Sequence, residues 1–233
     1  MRKFSAIAVA VFCLSSFAAR AVSGEQLFDL LRKKMLTVKD YTAEVKMKIN
    51  VSYMRIPTLA GTLYFKSPDK MKLERHGGLS IMLKKNINLT VSNMIPTGSV
   101  TVLDMGNVTI DGQNLRVLKI IPEDDQGQII LAKIWVDENS MLVVRTETTT
   151  RNDGTIKMAL QYGKYISYAL PDKVTIDVDV KDFKLPKGVT MDYNEVRDET
   201  PKKETKNRKG TIQLNYISYQ INTGIDDKVF SKK

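Results

Sequence analysis

From Tyr41 to Tyr53 the chain alternates without a break. Tyr41, Ala43, Val45, Met47, Ile49, Val51 and Tyr53 are set against Thr42, Glu44, Lys46, Lys48, Asn50 and Ser52. Successive side chains of a strand point to opposite faces, so a period of two predicts a strand with one apolar face and one wet face; a helix would scatter the same residues around its circumference. At about 3.3 Å per residue these thirteen residues span about 43 Å, where a typical strand has about 5–6 residues. A strand this long with one solvated face belongs to a large, curved, antiparallel sheet.

One helical pattern precedes it, over Ser23 to Leu36. Ser23 and Gln26 fit a capping box, Leu27, Leu30, Leu31 and Met35 share a face with Phe28 beside them, and Arg32, Lys33 and Lys34 suit the negative C-terminal end. Everything downstream reads as strand. Arg55-Ile56-Pro57 breaks the first strand; Leu59 to Lys66 alternates, Ser67-Pro68-Asp69 turns, and Met71, Leu73 and Arg75 alternate again. After a turn at His76-Gly77-Gly78, strands are expected over 79–84, 87–94 and 99–104, with a hairpin turn at Asp111-Gly112. Leu115 to Ile121 and Ile129 to Val136 are apolar at nearly every position, which predicts strands buried on both faces near the middle of the sheet, with one face under the helix or a second layer. Further strands are expected over Met141 to Thr150, Ile156 to Ile166, Lys173 to Lys181 and Thr211 to Ile221, with turns at Asp137-Glu138-Asn139 and Asn152-Asp153-Gly154. Residues 194–209 have almost no apolar content and no period, and are expected to be a mobile loop, dispensable for folding. The fold class is therefore mainly β (α+β): about ten or eleven strands in one curved antiparallel sheet or half-barrel with an N-terminal helix, as a single domain over 22–233.

Composition adds a compartment. Arg2 and Lys3, an apolar run from Ser5 to Phe17, and Ala19-Arg20-Ala21 form a secretory leader with its cleavage site. The single cysteine, Cys13, lies inside the leader and has no lipobox before it, so the mature chain from Val22 has no disulfide and no thiolate metal site. No second apolar run reaches membrane-spanning length, so a soluble exported protein is expected. Removing Arg2, Lys3 and Arg20 takes the formal charge from +10 to about +7, a balance that suits anionic membrane surfaces or acidic partners. Export and the lack of any nucleic-acid motif exclude nucleic acid as a partner.

Catalytic signals are sparse. His76 precedes two glycines, as in a lipase oxyanion loop, but no GxSxG elbow exists to supply a nucleophile, and a turn histidine is the simpler account. With one histidine there is no zinc cluster. Asp177 and Asp179 stand on the polar face of an amphipathic strand, where a solvated ladder outweighs acid–base work, and Asp124-Asp125 does not match a calcium loop. Asn50, Asn88 and Asn107 each head an N-x-S/T triplet, which matters only if the source glycosylates. What remains is the apolar sheet face. Tyr41, Val45, Met47, Ile49, Leu63, Phe65 and Met71 are its candidate ligand wall, with methionine adaptable at such sites. One helix cannot cover ten strands, so a cleft or barrel interior should remain, open enough that truncating Met47 costs little stability and a glutamate at position 49 is tolerated.

Several short motifs then fall in order. Val38-Lys39-Asp40-Tyr41-Thr42-Ala43 opens the long strand. Gly61-Thr62-Leu63-Tyr64-Phe65-Lys66-Ser67-Pro68 follows, with Met71-Lys72-Leu73 after it. Leu118-Lys119-Ile120-Ile121-Pro122, Ile134-Trp135-Val136-Asp137, Asp153-Gly154 and the ending from Asn222 to Phe230 come next. In these the sequence resembles the outer-membrane lipoprotein-sorting, LolA-like periplasmic carriers. The resemblance implies a half-open antiparallel barrel that shelters lipoprotein or lipid acyl chains across the periplasm, transient inner- or outer-membrane protein partners, a monomer and no cofactor. Two departures stand out: the carriers commonly have Arg before the proline, to latch the lid helices, where this chain has Ser67, and the stretch from 76 to 107 that should hold those helices reads as strand. The wider superfamily includes envelope sensors, which makes a regulatory protein the alternative to a carrier; an enzyme is not expected.

N-terminal sequencing of exported protein should return Val22-Ser23-Gly24, with no acyl group by mass. Retention of the first 21 residues, or an acylated Cys13, would contradict the leader assignment.

Overall fold

The structure, a computed structural model, describes residues 22–51, 54–55, 57–76, 95–96, 98–124, 126–151, 154–179 and 209–231. The strands expected over 79–84 and 87–94, the leader, and nearly all of 194–209 lie outside these residues.

Helix α1 (Gly24–Leu36) begins as its sequence dictates. Ser23 Oγ accepts from the Gln26 backbone N–H, and the Gln26 side chain accepts from the Ser23 N–H, which satisfies two donors that the first turn would otherwise orphan. The strands are β1 (Asp40–Val51), β2 (Met54–Arg55), β3 (Leu59–Lys66), β4 (Lys70–Arg75), β5 (Val100–Ile110), β6 (Gln113–Pro122), β7 (Ile129–Asp137), β8 (Leu142–Thr150), β9 (Gly154–Gln161), β10 (Lys173–Asp179) and β11 (Lys209–Ile221). Ten form one path in the order β4-β3-β1-β11-β10-β9-β8-β7-β6-β5, and the two-residue β2 pairs with β1. Every pairing is antiparallel. The sheet is curved and does not close: among the described strands, β4 and β5 are its two edges.

β1 is the seam. Its apolar positions face Leu59 to Phe65 of β3 on one side and Ile212 to Ile221 of β11 on the other. Where β1 begins, Asn222 fastens it to the end of β11. Its Oδ1 accepts from the Lys39 and Asp40 N–H groups and its Nδ2 donates to the Thr37 carbonyl, while Asp40 Oδ1 accepts from the Gly224 N–H. Asn222 has φ 56°, a left-handed conformation that asparagine tolerates.

Several expectations are corrected. β6 and β7 do not run mid-sheet but second and third from the β5 edge. On β7 only Ala132, Ile134 and Val136 are buried; Leu131, Lys133 and Trp135, on the convex face, are partly exposed. On β6 both faces are buried in part, but Leu115 and Val117 lie outside the main core cluster, as does Leu142. The apolar density of these strands thus serves a small convex patch as well as the core. Helix α1 lies on the concave side, with Gly24 pressed against Asp104 and Leu118 and with Leu27, Phe28 and Leu31 in the core cluster. β5 continues to Ile110, past the expected end at 104, and runs into the Asp111-Gly112 turn, whose two positive φ values of 51° and 79° are those of a hairpin turn. β9 stops at Gln161 rather than 166, and Ile166–Tyr168 form a short 3-10 turn.

The motif Gly61-x-Leu63-x-x-Lys66 has a physical basis. A Cβ on Gly61 would stand 2.3 Å from the Glu74 carbonyl oxygen of β4, so only glycine allows the two strands this approach. Leu63 and Phe65 point into the core, and Lys66 Nζ reaches the Ile225 carbonyl at 2.8 Å and Asp227 at 2.7 Å. Lys72 similarly donates to the Val229 carbonyl. The C-terminal segment is thereby strapped over the outer face of β3 and β4.

Gly61→Ala should therefore lower stability by about 1–3 kcal/mol in chemical denaturation, while Gly98→Ala, where nothing lies within 4 Å, should change it by no more than about 0.5 kcal/mol. A pH dependence also follows at the α1 end. Arg116 forks the Asp104 carboxylate, and those hydrogen bonds hold the Asp104 carboxyl below the usual range. A depressed carboxyl stabilises the fold above its unfolded value near ~4 and loses that contribution as pH falls through its folded value. The stability gap between wild type and Asp104→Asn should be up to about 1 kcal/mol at pH 6 and should close in strong acid.

Candidate functional site

The concave face is built by alternation. Tyr41, Ala43, Val45, Met47 and Ile49 line it from β1, Leu59, Leu63 and Phe65 from β3, and Met71 and Leu73 from β4. Beyond β1 it continues through Ile212, Leu214, Tyr216 and Tyr219 of β11, Val174 and Ile176 of β10, and Met158 and Leu160 of β9. Val143 of β8, Ala132, Ile134 and Val136 of β7, and Leu118 and Ile120 of β6 complete it. Ten strands about 4.8 Å apart make a sheet about 43 Å wide, whereas a 13-residue helix is about 20 Å long. Helix α1 covers one part, and Ile95 and Leu170 add to the same cluster.

All seven residues named from the sequence are brought together here. Tyr41 stands opposite Phe65, which stands opposite Met71; Leu63 faces Ala43 and Leu73; Val45, Met47 and Ile49 face Tyr216, Leu214 and Ile212. Their exposure is 0–6 %, so the expected open, hydrated groove is not present at these positions. They belong to one buried core cluster with Leu27, Phe28 and Leu31 of α1. Truncating Met47 or placing a glutamate at 49 then falls within a packed interior, where it is costly.

The sequence reasoning missed an aromatic cluster at the end of this face. Tyr41 stacks on Phe65 at 5.0 Å and meets the edge of Tyr219 at 5.2 Å; Tyr219 stacks on Tyr216 at 5.1 Å and meets Tyr165 at 4.9 Å. Tyr219 donates to the Pro171 carbonyl, and Tyr162 to that of Val143. Burial, and then the neighbouring Tyr216, push the Tyr41 phenol well up; burial does the same at Tyr162, Tyr216 and Tyr219, so these phenols are neutral throughout the physiological range. A slip in register hid the cluster. Tyr216 and Tyr219 are three apart and would point to opposite faces of a regular strand, but a bulge lets Ser218 pair with Glu44 and Tyr216 with Val45, and both rings turn inward. The second miss is a polar row on β8, where Thr146, Thr148 and Thr150 are buried on the concave side.

The weaker chemical candidates lie elsewhere. His76 is exposed, with Nε2 3.2 Å from Glu44 and 3.2 Å from Thr62 Oγ1; Thr62 donates to Glu44, which makes a surface polar cluster. Asp177 stands opposite Lys157 and Thr211 on the convex face, and Asp124 accepts from Gln126 N–H in a turn. Gly77, Gly78 and Asp125 are outside the described residues, as are the side chain of Asp179 and Asn88. Among the described residues no group of three or more His, Cys, Asp or Glu side chains could hold a metal ion, and no helix is long and apolar enough to cross a membrane.

No protein-family model matches the sequence, and none of the curated proteins compared with it matches. Solved structures do match. A domain assigned to outer membrane lipoprotein sorting from Vibrio parahaemolyticus shares 11% identity at a TM-score of 0.55, covering 89% of this chain and 95% of its own. A DUF1329 family protein from Desulfovibrio piger shares 13% at 0.54, covering 89% and 97%. A LolA superfamily protein from Nitrosomonas europaea shares 11% at 0.54, covering 91% and 99%. At these identities the likeness is one of architecture, and it extends over nearly the whole length of each partner. The chain has the fold of the LolA-like, lipoprotein-sorting proteins.

Proposed function

We propose that this protein is an exported, periplasmic binding protein or carrier that shelters the acyl chains of a lipid or lipoprotein on the concave face of its sheet. The observation that carries the proposal is the apolar continuity of that face. From Met71 on β4 to Ile120 on β6 the inward side chains are almost all aliphatic or aromatic, and one 13-residue helix is the only α-helix among the described residues to cover them. A ligand with long hydrocarbon chains matches such a wall, and its entry exchanges one apolar contact for another at little cost. The fold shared with lipoprotein-sorting proteins supports the same reading. The role proposed is binding, not catalysis. The basic charge suits encounter with anionic membrane surfaces that supply or receive the cargo.

Because the wall is packed at rest, loading must part the side chains that fill it. Exported protein examined by native mass spectrometry should carry an acyl lipid, and protein stripped of lipid should take up 1-monoolein from dispersion. No co-purifying lipid and no uptake would remove the proposal. Met47→Ala should cost about 2–5 kcal/mol in stability and alter uptake together with it; a loss of stability with wild-type uptake would place the ligand elsewhere.

A further inference from the structure

Among the described residues, one buried polar side chain of the concave face has no partner. Thr146 is 2 % exposed, and its hydroxyl makes no hydrogen bond. Its position is set by register: it stands between Ile134 of β7 and Met158 of β9, both in the core cluster, so it points into the same interior. The next inward position, Thr148, lies opposite Ala132 and Ile156, and Thr150 follows. A buried hydroxyl without a partner is costly, and valine would fill the same space in a strand without that cost. The hydroxyl is a donor that lacks an acceptor. Its immediate cross-strand neighbours, Ile134 and Met158, carry no positive charge, so a carboxylate brought here would be buried unpaired, whereas a neutral carbonyl would not.

Building on the carrier reading, we propose that Thr146 donates a hydrogen bond to the ester carbonyl of a bound acyl chain. The site would then select acylglycerol-type ligands over bare hydrocarbon chains and free fatty acids. The carbonyl sits over β8, and the attached chain extends along the aliphatic side chains on either side of it.

The test compares 1-monoolein with 1-O-oleylglycerol, its ether analogue, which has the same chain and headgroup and lacks only the carbonyl. Affinities are read by displacement of the neutral dye Nile red from delipidated protein. Wild type should prefer the ester by about three- to tenfold, the worth of one neutral hydrogen bond. Thr146→Val should bind the two alike and should melt about 2–4 °C higher, because an unpartnered polar group has been removed. Thr146→Ser should keep the ester preference. Dioleoylglycerol and a synthetic diacylglyceryl lipopeptide, run in parallel, separate a free lipid from a lipid-modified protein as the source of the ester. An ester preference unchanged in Thr146→Val, absent in wild type, or accompanied by a lower melting point in the valine variant would overturn the inference and leave the carrier reading standing. Failure of wild type to bind either lipid would overturn both.

Discussion

The fold depends on β1 pairing on both of its sides. β5 to β11 form a meander in chain order, and β3 and β4 form a hairpin; β1 joins them by pairing with β11 and β3 at once. Without that pairing the sheet divides into two pieces, each with a bare apolar face. The contact also spans nearly the whole chain: Thr37 and Asn222, 185 residues apart, share a 2.9 Å hydrogen bond at its start. Closing so long a loop is entropically expensive and slow, and the unbroken alternation of β1 offsets it, because Tyr41, Ala43 and Met47 each gain an apolar neighbour on both sides. The Asn222–Asp40 clasp and the straps from Lys66 and Lys72 to the C-terminal segment hold the joined ends from the outside.

That arrangement has a functional corollary. A ten-strand unclosed sheet presents more apolar surface than its one 13-residue helix covers, so further side chains or a guest must complete the cover. In the described state the inward residues of β1, β3 and β4 are buried in one cluster with those of β11 and of α1. Aliphatic, methionine and tyrosine side chains fill the interior, and unbranched Met47, Met71 and Met158 are of the adaptable kind. The polar row on β8 is the exception to this apolar lining. Within it, the Thr146 hydroxyl makes no hydrogen bond.

The two bulges nearest the wall show how local irregularity shapes it. One bulge, at Glu44/Val45, lets β11 present Tyr216 and Tyr219 to the same side and turns Ile217 outward. The other, at Trp135/Val136, brings Val143 opposite Val136 on the inside and leaves Arg145 beside Trp135 on the outside. Each inserts a residue that resets the face of everything after it. A strand read by strict alternation across such a point assigns half its side chains to the wrong side.

By itself, the sequence determined the elements whose signals are local. The Ser23 cap and its helix, the alternation of β1 and β3, and the Asp111-Gly112 turn lie where periodicity and turn chemistry place them, because neighbouring residues alone decide those dihedrals. The seven wall residues were legible for the same reason: a period of two puts them on one face whatever covers it. Tertiary structure decided the strand order, the place of β6 and β7 near an edge, the inward turn of Tyr216 and Tyr219, and the burial of a wall expected to be open. Apolar density on β6 and β7 says that both faces are in demand but not where in the sheet they lie. Bulges depend on how two twisted strands far apart in sequence meet. How far the face is covered depends on curvature accumulated over ten strands, which no single segment carries.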